Sequence, residues 1–404
     1  AALLSLRAEL NFTVPASRTP KGLWASRASC DDLYGVRCDD QGSVTSLLLY
    51  SVTGTLPSAI ANLSALTTLS VSSNLSCPLP PTLATLTALV NLHLGRNNLS
   101  CSLPPWLTTL AQLKILSIEW NKLTGSIPAG ISALSSLSAL RADYNLLTGS
   151  IPAGIGKLTN LTQLSLAFNS LSASIPSSIG LLKQLRIIDL RGNMIAGSIP
   201  SQLATLSLLY RLSLQSNALT GSIPSTLSLP ALRHLALDNN ALSGSLPSML
   251  GSLTSLAYLS ACNNRLSSTL PASLSALVLI QHLDLSRNLL SGSIPEGISS
   301  LQELSSLLLN GNSFQGPIPS ALSSLTSLYE IDLSANQLSG TLPPIFTSAM
   351  PDVSIIRLSQ NQLHGFLPTS LATCSELHTL DIAANAFTGA PATLINRLSS
   401  LVEL

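Results

Sequence analysis

One asparagine recurs along this 404-residue chain at an almost constant interval. It belongs to the motif L-x-x-L-x-L-x-x-N-x-L-(S/T)-G-x-(I/L)-P and stands at Asn97, Asn121, Asn145, Asn169, Asn193, Asn217, Asn240, Asn264, Asn288, Asn312, Asn336, Asn361 and Asn385. The steps are 24 residues, except for one step of 23 and one of 25. Such a period predicts a stack of similar units, each of which covers the core of its neighbours.

The motif also predicts what each unit contains. Because side chains alternate along a strand, L-x-L predicts a short strand with its leucines inward and the x residues outward. The asparagine stands where the chain leaves that strand, and its amide can bond backbone groups that would otherwise be buried without partners. The G-x-(I/L)-P segment predicts a second short extended stretch, and the following L-x-x-L spacing predicts a helical turn.

Composition excludes several classes of protein. Only 9% of the residues are charged and 46% are hydrophobic, so the chain is too apolar for a disordered protein. A net charge of +1 without a basic cluster argues against nucleic-acid or anionic-membrane partners. No apolar run reaches the roughly 18 residues that a membrane span needs. The first ten residues lack the order of a signal peptide, and we interpret them as a mature N-terminus.

The G-x-I-P segment carries a family resemblance. It occurs at Gly125–Pro128, Gly149–Pro152, Gly221–Pro224 and Gly292–Pro295. This signature resembles the plant-specific leucine-rich-repeat subfamily, which includes ectodomains of receptor kinases, receptor-like proteins and polygalacturonase inhibitors. The resemblance implies an α/β solenoid. This is a right-handed superhelix with a parallel sheet on its concave face, and a second short sheet and helical turns on its convex side.

The N-terminal residues are similar to the cap of that family. Trp24 and the segment Cys30–Cys38 match it, although Leu33 and Tyr34 stand where a tryptophan is usual. The resemblance therefore implies a cap over residues 1–43 with a Cys30–Cys38 disulfide. We expect about 15 repeats of about 24 residues over residues 44–400 and an incomplete repeat at 401–404. Since that array stops within a repeat, we expect the chain to continue beyond Leu404. The alternative is that another molecule covers that end.

Four further cysteines fall into two groups. Cys77 and Cys101 hold the same place in successive repeats, 24 residues apart. Stacked equivalents lie about 5 Å apart, within the range of a disulfide, so we predict that bridge. Cys262 and Cys374 are too far apart to meet and are predicted to be free thiols, with Cys374 in the core. Two bridges indicate an oxidising compartment. No metal-ligand spacing is present, and we expect neither a metal nor a cofactor.

N-x-(S/T) sequons occur in the first half of the chain, where secretion would make them usable. We predict N-glycosylation at Asn11, Asn62, Asn98 and Asn160. Asn74 is also a sequon, but its register predicts a buried ladder asparagine.

The solvent-facing positions of the parallel sheet form the expected binding face, since variable residues line it. The column immediately before the ladder asparagine carries Arg96, Trp120, Tyr144 and Phe168, and neighbouring columns carry Glu119, Arg141 and Asp143. Aromatic rows with flanking charges suit a peptide side chain or the apolar face of a sugar. The alternative is that adjacent rings pack on each other and shield the sheet.

A second patch occupies the early outward positions of later repeats. It consists of Tyr210, Arg211, Arg233, His234, Tyr258 and His282. His282 with Asp284 resembles part of a catalytic triad, but no nucleophile elbow or oxyanion turn accompanies the pair. We therefore expect no enzymatic activity.

Two functions remain open. The first is an extracellular recognition module, either secreted or on the cell surface, that binds a peptide, glycan or protein through its concave face. The second is a glycosylated structural protein of the cell surface or wall that assembles into filaments through its repeats. Low charge and columns of Ser and Thr around the G-x-I-P segment, which suit O-linked glycans or side-by-side packing, favour this alternative. Those hydroxyls also suit tight extended turns that bond local backbone groups.

Overall fold

A computed structural model describes residues 35–389, 398 and 400–403. The chain divides into two compact units, residues 1–195 and 196–404. In the first unit, the strands are β1 (Val36–Cys38), β2 (Val44–Thr55), β3 (Thr68–Ser76), β4 (Asn91–His93), β5 (Ile115–Ser117), β6 (Ala139–Arg141), β7 (Thr148–Gly149), β8 (Gln163–Ser165), β9 (Ser170–Leu171) and β10 (Ile187–Asp189). Five-residue 3-10 helices follow at Ser58–Asn62, Pro81–Thr85, Pro105–Thr109, Ala129–Ala133, Ala153–Lys157 and Ser177–Leu181.

The second unit repeats this plan. Its strands are β11 (Ala196–Gly197), β12 (Arg211–Ser213), β13 (Ala218–Gly221), β14 (His234–Ala236), β15 (Ala241–Ser245), β16 (Tyr258–Ser260), β17 (Arg265–Ser268), β18 (His282–Asp284), β19 (Leu289–Gly292), β20 (Ser306–Leu308), β21 (Ser313–Gly316), β22 (Glu330–Asp332), β23 (Gln337–Thr341), β24 (Ile355–Arg357), β25 (Gln362–Gly365), β26 (Thr379–Asp381) and β27 (Ala386–Phe387). Its 3-10 helices are Ser201–Thr205, Ser248–Ser252, Ala272–Ala276, Glu296–Ser300, Ser320–Ser324 and Thr369–Thr373.

A parallel sheet forms from the L-x-L strands of each unit. In the first unit β2, β3, β4, β5, β6, β8 and β10 pair in that order, and β1 pairs antiparallel with β2. In the second unit the even-numbered strands from β12 to β26 pair in chain order. Residues one repeat apart are direct partners, as with Leu116 and Leu140. The fold is therefore the expected α/β solenoid of stacked repeats.

The second sheet is built from the stretch around the G-x-(I/L)-P segment. In the first unit β7 pairs with β9, and in the second unit the odd-numbered strands from β11 to β27 pair in chain order. The glycine is favoured because the backbone turns there with a positive φ, for example +74° at Gly125, although Ala173 and Ser268 also adopt it. A Cβ on Gly125 would also lie only 3.1 Å from the Cβ of Ser102.

The helical component consists of short 3-10 turns throughout the described residues. A proline in extended conformation precedes many of them, as Pro128 precedes Ala129–Ala133. The L-x-x-L spacing explains the choice, because side chains three residues apart share one face of a helix with three residues per turn. Ile131 and Leu134 accordingly lie in the core, 1% and 0% exposed.

The predicted asparagine ladder is present, and Asn145 illustrates it. Its Oδ1 accepts a hydrogen bond from the backbone N–H of Leu123, one repeat earlier, at 3.0 Å. Its Nδ2 donates to the carbonyl oxygens of Ile118 and Ala142 at 3.0 and 3.2 Å. Each ladder asparagine thus bonds its own turn and the preceding one.

The prediction for Asn74 is wrong, since this residue is exposed. Strand β3 continues through its position instead of ending before it. The ladder contact in this repeat comes from Asn97, whose Oδ1 accepts from the N–H groups of Ser73 and Leu75 at 3.1 and 2.9 Å. Its Nδ2 reaches the carbonyl oxygen of Val71 at 2.7 Å.

The predicted Cys77–Cys101 bridge and the two predicted free thiols are confirmed. Cys77 and Cys101 form a disulfide, with their Cα atoms 5.9 Å apart. Cys262 is a partly buried free thiol, and Cys374 is a free thiol in the core. Cys38 is disulfide-bonded, and its expected partner Cys30 lies outside the described residues, as do Trp24 and Asn11.

Candidate ligand-binding face

The predicted aromatic column forms a continuous stack in the first unit. The rings of Trp120 and Tyr144 lie 3.8 Å apart between centroids, and those of Tyr144 and Phe168 lie 4.5 Å apart. Both pairs are nearly parallel, with interplanar angles of 14° and 20°. Parallel strands place equivalent residues side by side, which brings the three rings into contact. The faces of these rings therefore pack on each other, as the alternative interpretation of the column expected.

A guanidinium group covers each end of the stack. The Cζ atom of Arg96 lies 5.7 Å from the Trp120 ring centroid, and that of Arg191 lies 5.4 Å from the Phe168 centroid. Both distances lie in the range of cation–π attraction. We call these five residues, Arg96, Trp120, Tyr144, Phe168 and Arg191, the capped aromatic stack. Arg96 was predicted from the column, whereas Arg191 was missed because it stands one position earlier in its repeat.

The backbone of the stack departs from the expected strand conformation. The rings do not project from the strands, which end three residues earlier, but from the bend that precedes the ladder asparagine. At this bend φ is +56° for Trp120, +54° for Tyr144 and +51° for Phe168. A bulky side chain rarely adopts this left-handed conformation. Equivalent positions in other repeats share this conformation, at Gly192 and Asn239, which adopt it readily, and also at Arg287 and Ala335. The bend is therefore a feature of the repeat.

Polar side chains from neighbouring columns surround the stack. Glu119 accepts a hydrogen bond from the hydroxyl of Ser117 at 2.7 Å, and Arg141 donates from Nε to Gln163 Oε1 at 3.0 Å. Arg191 also forms an ion pair with Asp189, at 3.4 Å between Nε and Oδ2. The face around the rings therefore carries charges of both signs.

Asp143 has an unusual electrostatic environment. Burial, helped by the nearby carboxylates of Asp189 and Glu119, raises the pKa of its carboxyl group to about 6. The backbone N–H of Ala167, which donates to Oδ1 at 2.8 Å, opposes this shift. The same face holds His93, whose pKa is lowered by burial.

The second predicted patch is also stacked, in the second unit. His234, Tyr258 and His282 begin β14, β16 and β18, and their ring centroids lie 4.3 and 4.6 Å apart. Burial lowers the pKa of His282 and raises that of Tyr258. Other members of the patch lie beside this row: Arg211 begins β12, and Tyr210 and Arg233 are exposed one residue before their strands.

Comparison with known proteins points to one family. Residues 112–134, 160–182, 184–206, 231–253, 279–301, 303–325 and 327–349 match the family described as "Leucine Rich Repeat". The Arabidopsis receptor kinase HAESA ectodomain, solved with an extended IDA peptide hormone, is 30% identical. That match has a TM-score of 0.69 and covers all of this chain and 76% of that one. The chain belongs to the leucine-rich-repeat family, of the plant type.

Two other solved leucine-rich-repeat proteins are similar. The plant peptide hormone receptor RGFR1, in complex with RGF2, is 32% identical with a TM-score of 0.82 over 91% of this chain. The present leucine-rich-repeat chain spans 66% of that receptor chain. A leucine-rich-repeat protein from Leptospira interrogans is 30% identical with a TM-score of 0.70, and the match covers 86% of this chain and 87% of that one. A search of curated proteins found no match.

Sequence reasoning missed one cluster in this leucine-rich-repeat array. The ligand atoms of Asp238, Cys262 and Asp284 lie within 4.8 Å of one another. Burial and the two carboxylates raise the pKa of the Cys262 thiol to about 12. Their spacing along the sequence matches no metal-ligand motif, because the three residues come from three successive repeats. Alignment of the repeats would have placed them at, or just after, the ends of adjacent strands.

In the described residues, no helix is long and apolar enough to cross a membrane.

Proposed function

We propose that this leucine-rich-repeat protein is an extracellular, non-enzymatic recognition module whose first unit binds a peptide or protein ligand. The capped aromatic stack carries the proposal. The side chains of Trp120 and Phe168 remain 48% and 41% exposed and are available to a ligand. Large aromatic rings at the centre of an interface supply much of its binding energy.

The geometry favours a peptide over a sugar. A sugar packs its apolar face on an open ring face, and here the ring faces contact each other or a guanidinium group. What remains accessible is the row of ring edges. These edges carry partial positive charge and suit carbonyl oxygens and aliphatic side chains. Arg96 and Glu119 beside the rings would bond the polar groups of a peptide.

Related structures support the same class of ligand. The HAESA ectodomain and the RGFR1 receptor were each solved with a peptide hormone or hormone partner. Because one repeat scaffold serves many ligands, this likeness supports the class of partner and leaves its sequence open.

An extracellular location fits the cysteine chemistry and the sequons. The Cys77–Cys101 disulfide is a bond that persists in oxidising compartments. Of the proposed N-glycosylation sites, Asn62 and Asn160 are exposed and Asn98 is half-buried. Asn160 also donates from Nδ2 to the Ser135 carbonyl oxygen at 3.0 Å. Glycosylation at Asn62, Asn98 and Asn160 remains part of the proposal.

A random dodecapeptide library displayed on phage provides the test. We expect selection on the purified protein to enrich peptides whose synthetic versions bind in fluorescence polarisation. Trp120→Ala should weaken their binding by about tenfold or more, because truncating an aromatic hot spot typically costs at least 1–2 kcal/mol. Trp106→Ala is the matched control, since Trp106 lies on the 3-10 helix Pro105–Thr109 and should leave binding unchanged.

Three results would contradict the proposal. The first is a failure to enrich any peptide, and the second is equal loss of binding in both tryptophan variants. The third is the formation of regular filaments by the purified protein in electron microscopy, which would favour the structural alternative.

A further inference from the structure

A thiol and two carboxylates converge on the outward side of the sheet in the second unit. Asp238 follows β14, Cys262 follows β16, and Asp284 ends β18. These strands are direct neighbours in the parallel sheet, with His234 opposite Tyr258 and Tyr258 opposite His282. The thiol lies within hydrogen-bonding reach of both carboxylates. One ligand atom from each of the three residues lies within 4.8 Å of the others.

Both carboxylates in this cluster accept hydrogen bonds, and the imidazole of His282 also lies close enough to interact with both. Asp238 is only 9% exposed, and its Oδ1 accepts hydrogen bonds from the Ser260 hydroxyl and the Cys262 backbone N–H. The Oδ1 of Asp284 accepts from the backbone N–H and hydroxyl of Ser286 at 3.0 and 2.7 Å. All these donors are neutral. The ion pairs Arg191–Asp189 and Arg357–Glu330 lie elsewhere.

The ligand oxygens of the two carboxylates lie within 4.8 Å of each other, and a bound cation is one of the ways proteins compensate the repulsion of like charges held this close. The donor set identifies the kind of cation. Ca²⁺ and Mg²⁺ take oxygen ligands, so a thiol between the two carboxylates would contribute nothing to their binding. Zn²⁺ accepts thiolate and carboxylate together, and three protein ligands leave a fourth position for water.

We propose that Asp238, Cys262 and Asp284 form a binding site for a zinc-type divalent cation. On binding, the Cys262 thiol releases its proton to solvent as the sulfur–metal bond forms, and no group is oxidised or reduced. The site lies in the second unit and does not depend on the peptide-binding role proposed for the first unit.

Co²⁺ is a suitable probe, since it accepts the same ligands as Zn²⁺ and reports a bound thiolate by its colour. We expect anaerobic titration of the full chain, with its disulfides intact, with Co²⁺ to produce a sulfur-to-cobalt charge-transfer band that saturates at one equivalent. Zn²⁺ should bleach this band by displacement. Cys262→Ser should abolish it, and Asp284→Asn should weaken Co²⁺ binding by about tenfold or more, as loss of a ligand typically does.

The other free cysteine supplies the matched control. Cys374 is buried in the core, and Cys374→Ser should retain the full band once circular dichroism has shown that the variant is folded. The absence of a band in the wild-type chain would overturn the proposal. So would a band that persists in folded Cys262→Ser, because the sulfur ligand would then be a different one.

Discussion

At the scale of single residues, the backbone before the ladder asparagine is the feature that sequence reasoning could not supply. The motif gave the column that contains Trp120, Tyr144 and Phe168, since each stands one residue before an asparagine. It did not give the positive φ, because that conformation follows from the bend between two strands and not from the preferences of aromatic residues. Mutual stacking of the rings offsets part of the strain, since such pairs contribute about 0.5–1.5 kcal/mol each.

Asp143 should make the stability of the first unit depend on pH. Its pKa is about 6 in the folded chain and near 3.8 in the unfolded chain. Between these values the folded state binds more protons, so the free energy of unfolding should fall as pH rises from about 4 to about 6. Asp143→Asn keeps the oxygen that accepts from Ala167 and removes the charge. We expect this variant to be about 2 kcal/mol more stable than wild type at pH 7.

Urea denaturation at pH 4, 5, 6 and 7 would measure this difference. The gap between the variant and the wild type should close toward pH 4, where the wild-type carboxyl is also neutral. Asp352→Asn, at an exposed position, should follow the wild-type curve. A gap that is the same at every pH would show that the charge of Asp143 is not the cause.

At the scale of elements, the sequence predicted the strands and the ladder because one short motif encodes both. L-x-L fixes which side chains face the core, and the asparagine three residues after its second leucine marks where each strand has ended. The long strands β2 and β3 were not predicted. The repeat of β2 has no ladder asparagine, and β3 runs through Asn74 although that residue stands at the ladder register. Asn97 bonds the backbone of β3 at Ser73 and Leu75, which leaves Asn74 in solvent.

The ladder should be among the most sensitive features of each repeat. Asn145→Ala removes the acceptor for the Leu123 N–H and the donor to the Ile118 carbonyl oxygen, both in the buried turn. Leaving buried backbone groups unpaired costs about 1–3 kcal/mol each, so we expect at least about 2 kcal/mol of destabilisation in chemical denaturation. Asn74→Ala is the matched comparison and should change stability by less than about 0.5 kcal/mol. Equal effects of the two substitutions would argue against the ladder as a source of stability.

At the scale of the whole molecule, stability should depend on whole repeats. Deletion of Arg265–Asn288 removes 24 residues and joins Asn264 to Leu289, which restores the N-x-L-S-G pattern at the junction. We expect this shortened chain to keep the circular dichroism spectrum and cooperative thermal unfolding of the parent, because stability in repeat arrays is approximately a sum over repeats and their neighbours.

Deletion of half a repeat is the stringent control. Removing Arg265–Ala276 joins Asn264 to Leu277 and destroys the strand and ladder spacing of that repeat. This chain should lose cooperative unfolding in the second unit. If both deletions unfolded alike, the register of the repeats would not be what holds the array together.

The ladder also bears on how such a gene changes over time. Because each asparagine bonds the equivalent atoms of its own and the preceding turn, unequal recombination between two repeats yields a chain whose junction is already bonded in the same way. The steps of 23 residues to Asn240 and 25 residues to Asn361 show that the ladder also accommodates small slips at such a junction. The number of repeats can therefore change in a single genetic event, whereas the outward-facing residues change one substitution at a time.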